Sequence, residues 1–370
     1  MAVNVWGYLQ EYEAEREEIM AAVADVLGSG KLILGPHVAA FEEEFAAYCG
    51  AKHGVGCDNG TSAVMLALLG CGIAPGDEVI TVSNTAVPTV SAIVSAGGTP
   101  RFVDIDPATY LMDAAGLEAA VTPRTKAVVA VHLFGQCVDM EAVAAVADRH
   151  GLTVVEDCAQ AHGATRSGHV AGSLSDAAAF SFYPTKILGT YGDGGMVLTS
   201  RDDVAAKLKR LRFYGMEKTY YALEHGFNSR LDEIHAAILR GKLKHLPAYI
   251  ARRRELAARY DAALADTSLT LPTTAPGNSH AYYLYVARHP RRDALLAGLK
   301  ERGVNCNISY PWPIHTMTGY IHLGYKEGDL PETERAAREI FSLPMYPSLS
   351  DAEQDTAIAA LRDTLAALGE

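Results

Sequence analysis

A lysine set between an apolar run and a cluster of glycines is the first group in this sequence able to do covalent chemistry. In FSFYPTKILGTYGDGG, Phe180 to Gly195, a strand-like run ends at Phe182, Lys186 follows, and Gly192-Asp193-Gly194-Gly195 precedes the next apolar run. Glycines permit close backbone approach and positive φ angles. A lysine beside such a turn can be held in a cleft, where its amine can lose a proton and act as a nucleophile or Schiff-base partner. The competing reading is an ordinary exposed loop lysine.

Two further segments carry groups that complement an amine. In VVEDCAQAHGA, from Val154, acidic residues directly follow four apolar or β-branched ones, which puts Asp157 at the carboxyl end of an expected parallel strand. That is the edge where open α/β sheets place ligands. A carboxylate there can hold a pyridinium nitrogen. Metal ligation with Glu156 or His162, and capping of the next helix, are its rivals. Glu156 and Asp157 point to opposite faces of a strand, which weakens the metal reading. In DNGTSAVMLALL, from Asp58, Asn59-Gly60-Thr61-Ser62 opens a helix, and exposed amides and hydroxyls at a helix start can cradle a phosphate. Plain N-capping by Thr61 or Ser62 is the alternative. The segment lacks the Gly-Lys-Ser/Thr ending of a P-loop, and no G-x-G-x-x-G follows the first strand. A phosphate cradle, a strand-end aspartate and a glycine-flanked lysine together fit one cofactor, pyridoxal 5′-phosphate, through its phosphate, ring nitrogen and aldehyde.

Elements must bring these groups together. Short β-rich runs occur at 78–82, 101–105, 127–133, 153–156, 178–182 and 196–199, with helical stretches between several of them, at 62–69, 140–150 and 204–211. Apolar strands alternating with helices predict an α/β domain, a mostly parallel sheet covered on both faces. Helices are also expected at 12–27 and after Pro36. Beyond Arg230 the pattern changes: two helices at 231–246 and 250–264, a Tyr-rich strand from Ala281, a helix at 293–302, a proline-punctuated segment from Asn307, and a last helix at 351–368. We expect a large three-layer domain over 1–245 and a smaller α+β domain over 246–370.

Composition narrows the function. The 370 residues are 49% apolar and 21% charged, and 32 basic against 44 acidic residues give −12. A chain so acidic is not expected to bind nucleic acid or an anionic membrane, because it has no basic surplus to neutralise phosphates. No run approaches the ~18 apolar residues of a membrane span. The acidic start, MAVNVWGYLQEYEAEREE, lacks a signal-peptide pattern. Cysteines 49, 57, 71, 137, 158 and 306 contain no C-x-x-C pair, so no metal site is expected, and the expectation is a cytoplasmic protein with free thiols.

The segments closely resemble the sugar aminotransferases of the DegT/StrS family, of fold type I architecture. The resemblance runs from ILGPHVAAFEEEFA to the region of His315, through NGTSA, GDEVI, FVDID, VHLFG, VEDCAQAHGA, FYPTK and YGDGG. It implies Lys186 as the Schiff-base lysine, Asp157 at the pyridine nitrogen and Gln160 by the ring hydroxyl. It implies Gly60, Thr61, Ser62 and Ser181 at the phosphate, with Asn228 of GFNSRLDE reaching the phosphate of a neighbouring subunit. A homodimer with shared sites follows. His162, Tyr191, Tyr310 and His315 are implied near the substrate, although Tyr310 could equally be a packing aromatic.

Two departures stand out: Ala86 where the family usually stacks an aromatic ring on the cofactor, and Ile187 where many members have Asn. Sugar dehydratases of the family carry histidine in place of the lysine, so Lys186 implies transamination. LG-x-YGDGG favours carbon 3 of a keto-sugar over carbon 4. The implied reaction moves an amino group from L-glutamate to a nucleotide-linked, dTDP-type keto-deoxysugar. An anionic acceptor needs a local basic pocket, for which Lys207–Arg212, Lys218 and Arg252–Arg254 are candidates. A non-catalytic regulatory relative and an amino-acid lyase using the same cofactor are the alternatives.

Overall fold

The structure, a computed structural model, describes residues 2–370. Seven strands build the central sheet: β1 (His53–Cys57), β2 (Glu78–Val82), β3 (Thr99–Val103), β4 (Thr125–Val131), β5 (Thr153–Asp157), β6 (Ala177–Ser181) and β7 (Gly195–Thr199). Their spatial order is β1-β7-β6-β5-β4-β2-β3. Neighbours from β3 through β6 pair in parallel, while β7 runs antiparallel to both β6 and β1. One reversed strand thus interrupts an otherwise parallel sheet. Residues on both faces are buried along β2, β6 and β7, as continuous apolar runs require when helices cover both sides.

Helices α1 (Tyr8–Ser29), α2 (Pro36–Cys49), α3 (Gly60–Gly70), α4 (Val87–Ser95), α5 (Met140–His150) and α6 (Asp202–Leu211) surround this sheet. Helix α4, with Pro at its start, was not anticipated; its nine residues carry too little polar contrast to show a helical face. The two helices expected at 231–246 and 250–264 are one, α7 (Glu233–Leu264), with Pro247 inside it. A proline removes one backbone donor and crowds the preceding turn. The helix continues because Leu246 and Ile250 on either side are buried in the main core.

A second core forms around the C-terminal part of α7, strands β8 (Tyr285–Arg288) and β9 (Ile340–Leu343), and helices α8 (Arg292–Glu301) and α10 (Asp351–Ala367), with α9 (Pro331–Glu339) preceding β9. The two strands pair antiparallel. The expected boundary at 245–246 lies inside α7. Val3, from the other end of the chain, bonds to Gly303 and packs in this second core. Among the described residues, no helix is long and apolar enough to cross a membrane.

Candidate active site

The parallel strands end at one edge, and that edge carries the chemistry. A cleft of about 500 Å³ is lined there by the segments leaving β1, β2, β4, β5 and β6. Because β7 is reversed, its first residue, Gly195, pairs with Cys57 and Ser181 and brings Asp193 to the same edge. Close approach, not positive φ, is what the glycine-dense turn supplies. Gly192, Gly194 and Gly195 all have ordinary φ values, but a Cβ on Gly195 would sit 2.4 Å from the Asn59 carbonyl oxygen.

At one end of the cleft, helix α3 presents its N-terminus. Asn59, in extended conformation, accepts the Ser62 N–H at 2.9 Å. The cap is therefore Asn59, not Thr61 or Ser62, and those two hydroxyls are left to line the cleft. A Cβ on Gly60 would lie 2.5 Å from the Cβ of Ser181, so only glycine lets the helix start meet the end of β6. Helix-start amides with three hydroxyls around them form a site for a phosphate dianion.

Asp157 ends β5. Its Oδ2 accepts a 2.7 Å hydrogen bond from Thr89, whose hydroxyl is bonded to that of Thr85, and its Oδ1 accepts the Ala159 N–H. Gln160 accepts the Phe134 N–H at 2.8 Å and donates to the Tyr310 hydroxyl. Lys186 follows β6 on a turn pinned by Phe182 N–H to Gly194, Thr190 N–H to Phe182 and Lys186 N–H to Tyr183, each 2.8 Å. Gly60, Thr61, Ser62, Asp157, Gln160, Ser181 and Lys186 thus share one cleft. Phosphate cradle, carboxylate and amine stand as pyridoxal phosphate requires, so the residues present fit that cofactor. Ala86 lines the cleft with no ring to offer.

Other expected site residues lie elsewhere. His162 is fully enclosed among Phe45, Phe180 and Phe182, and neither ring nitrogen has a partner. Burial, with the charge of Lys186, pushes its pKa down to about 3, and it does not reach the cleft. Tyr310 stands behind Gln160 and stacks on Phe134; burial raises its phenol pKa. His315 is buried between Ser83, at the end of β2, and Glu334 of α9, and it ties the 311–334 segment to the cleft wall from outside. Tyr191 is exposed, with its ring against Tyr12 and Lys242. Asn228 is exposed and does not line this cleft.

Glu156 does face away from Asp157. It accepts hydrogen bonds from His132, Gly172, Leu174 and Ser175. Burial alone would raise its pKa, but the His132 and backbone donors outweigh it and hold the carboxyl below its usual range. Its oxygens come within 4.8 Å of His132 and Cys158 ligand atoms, yet these donors already occupy them. His132 Nδ1 accepts the Val138 N–H, so Nε2 carries the proton toward Glu156. The sequence reading missed Thr85, Thr89, His132 and Tyr183 as cleft residues. Thr85 and Thr89 sit in the segment noted only for Ala86, and with α4 not legible there the sequence carried no signal joining them.

The sequence profile of the DegT/DnrJ/EryC1/StrS aminotransferase family matches residues 13–362. A dTDP-3-amino-3,4,6-trideoxy-alpha-D-glucose transaminase of Micromonospora megalomicea subsp. nigra is 58% identical, covering 100% of both chains. The crystal structure of DesV from S. venezuelae superposes with a TM-score of 0.96 at 44% identity, covering 98% of each chain. NtdA from Bacillus subtilis, with bound cofactor PMP, gives 0.89 at 31% identity over 95% of this chain and 82% of that one. The chain belongs to the DegT/DnrJ/EryC1/StrS family, and it is a pyridoxal phosphate-dependent aminotransferase of fold type I.

Proposed function

We propose that this protein moves the amino group of L-glutamate to carbon 3 of a dTDP-linked keto-deoxysugar. The observation that carries the reading is one cleft holding Lys186, Asp157 and the Gly60–Ser62 cradle together. The full-length identity to a transaminase of a 3-amino sugar supports carbon 3 and the dTDP carrier.

When bound, pyridoxal phosphate supplies an aldehyde that joins amines covalently and a ring that accepts the electron pair left by a departing proton. The chain supplies the rest. Gly60, Thr61, Ser62 and Ser181 hold the phosphate by amides and hydroxyls. Asp157, oriented by Thr89 and the Ala159 N–H, keeps the ring nitrogen protonated. Lys186 Nζ takes the α-proton of L-glutamate, and in the return half it gives a proton to C3 of the acceptor. The protein acts as a cytoplasmic homodimer in which Asn228 completes the phosphate site of the other subunit; its exposed position outside its own cleft supports that reading.

An absorbance scan with pyridoxal phosphate, before and after L-glutamate, tests the cofactor, lysine and donor. A violet band is expected, converting to a near-ultraviolet one, and Lys186→Ala should lose both the band and turnover. Carbon 3 is then read by NMR of the aminated product. A band that glutamate leaves unchanged removes the donor, and an amine at carbon 4 removes the regiochemistry. Catalytic turnover of the amino acid without a sugar would instead indicate a lyase.

A further inference from the structure

Lys186 lies between two cavities. One is the cleft described above; the other, about 230 Å³, is lined by Trp6, Tyr8, Glu11, Glu15 and Tyr346 among others, and Lys186 is the residue the two share. In that cavity Glu15 is paired with Lys242 at 3.6 Å. Lys186 Nζ lies 4.7 Å from the ring centroid of Tyr283. That ring is 5% exposed, stacks on Trp6 at 5.8 Å, and donates or accepts a 3.0 Å hydrogen bond with the hydroxyl of Thr185, the lysine's own neighbour. Stack and hydrogen bond together fix the ring's orientation. A cation over a desolvated tyrosine face is attracted by the ring quadrupole. The nearby His162 stays neutral and does not repel it.

We propose that Tyr283 is a positioning residue for Lys186. Its face holds the lysine as an ammonium, in the empty protein and in the reaction once Nζ has taken the donor's α-proton. By stabilising the ammonium that forms when Nζ takes the α-proton, the ring favours that transfer. A held amine transfers a proton faster than one searching several rotamers. The inference rests on the reading of Lys186 as the Schiff-base lysine.

The contact is testable without cofactor. Reductive methylation of the apoprotein with ¹³C-formaldehyde keeps lysine charges, and the Lys186 methyl resonance is identified by its loss in Lys186→Arg. An upfield ring-current shift is expected in the wild type, retained in Tyr283→Phe and lost in Tyr283→Leu. An unshifted wild-type resonance, or a shift that survives Tyr283→Leu, overturns the proposal; the first result needs no Tyr283 variant to fold. In the loaded enzyme, the single-turnover reaction with L-glutamate alone should slow by about 2- to 30-fold in Tyr283→Leu at unchanged half-saturating glutamate. Tyr283→Phe should restore the rate. Equal rates in Tyr283→Leu and wild type overturn the role. If the wild type does not react with glutamate, the proposed function fails instead, and the resonance still decides the contact.

Discussion

The role proposed for Asp157 needs an aimed carboxylate, and Thr89 with the Ala159 N–H holds it. A buried hydroxyl on a charged oxygen is worth about 1.5–3 kcal/mol, so Thr89→Val should weaken pyridoxal phosphate retention roughly tenfold while the fold survives. Cofactor dissociation followed by absorbance is the check, and unchanged retention would assign Thr89 to packing alone. His162 makes the opposite point. It stands in a motif that resembles a substrate site, yet it is a core residue. Its folded pKa of about 3 lies below the ordinary 6.5 because the charged form is excluded. Between those values the unfolded chain binds more protons, so stability rises with pH and is lost as pH falls below 6.5. His280, pushed to about 3 by burial and then Arg254, adds the same effect. In His162→Leu, the loss of stability from pH 6.5 to 4.5 should be shallower by about 1.4 kcal/mol per pH unit. Urea titrations across that range would show it, and an identical slope would mean the imidazole is not excluded from charge.

At the level of elements, strand direction decides which residues meet. Parallel β1, β4, β5 and β6 deliver their carboxyl ends to one edge, and the reversal of β7 turns the loop carrying Lys186 back across it. Helix α7 then joins this edge to the second core. Arg253, on its inner side and 3% exposed, donates to the carbonyls of Tyr282, Tyr283 and Met345. Those carbonyls belong to the segments that enter β8 and follow β9. Burial lowers the guanidinium to about 10, where it remains charged at neutral pH. Arg253→Leu would orphan these buried acceptors and should destabilise the protein by roughly 3 kcal/mol, measured by urea unfolding. A change within about 0.5 kcal/mol would show that water replaces the guanidinium.

At the scale of the molecule, few cations are left to meet an anionic acceptor. Arginines expected to greet an anionic acceptor are already engaged: Arg210 with Glu224, Arg212 with Glu42, Arg252 with Asp351, Arg254 with the His280 carbonyl. Among the described residues, Lys186 is the one lysine or arginine lining the cleft. The proposed shared site makes a sharp prediction. Lys186→Ala and Asn228→Ala proteins, each inactive alone, should regain roughly a quarter of wild-type activity when dissociated and reassociated together, because half the dimers are mixed and one site in each is intact. No recovery would place Asn228 in its own subunit's site or outside any.

The sequence by itself determined the chemistry and the class of fold. Lys186, Asp157 and the Gly60–Ser62 turn are legible because each follows a short apolar strand, and strand ends are where side chains leave the core. Strand and helix alternation is likewise local information, written in the spacing of apolar residues. The tertiary structure alone decided what lies behind those groups. Whether α7 is one helix or two depends on the cores that grip it on both sides of Pro247, not on the proline. His162 is enclosed by burial, while half-buried Tyr310 and buried His315 are bonded to distant elements, Gln160 for one and Ser83 and Glu334 for the other. Thr89 reaches Asp157 across 68 residues and Tyr283 reaches Lys186 across 97, distances along the chain that only packing closes.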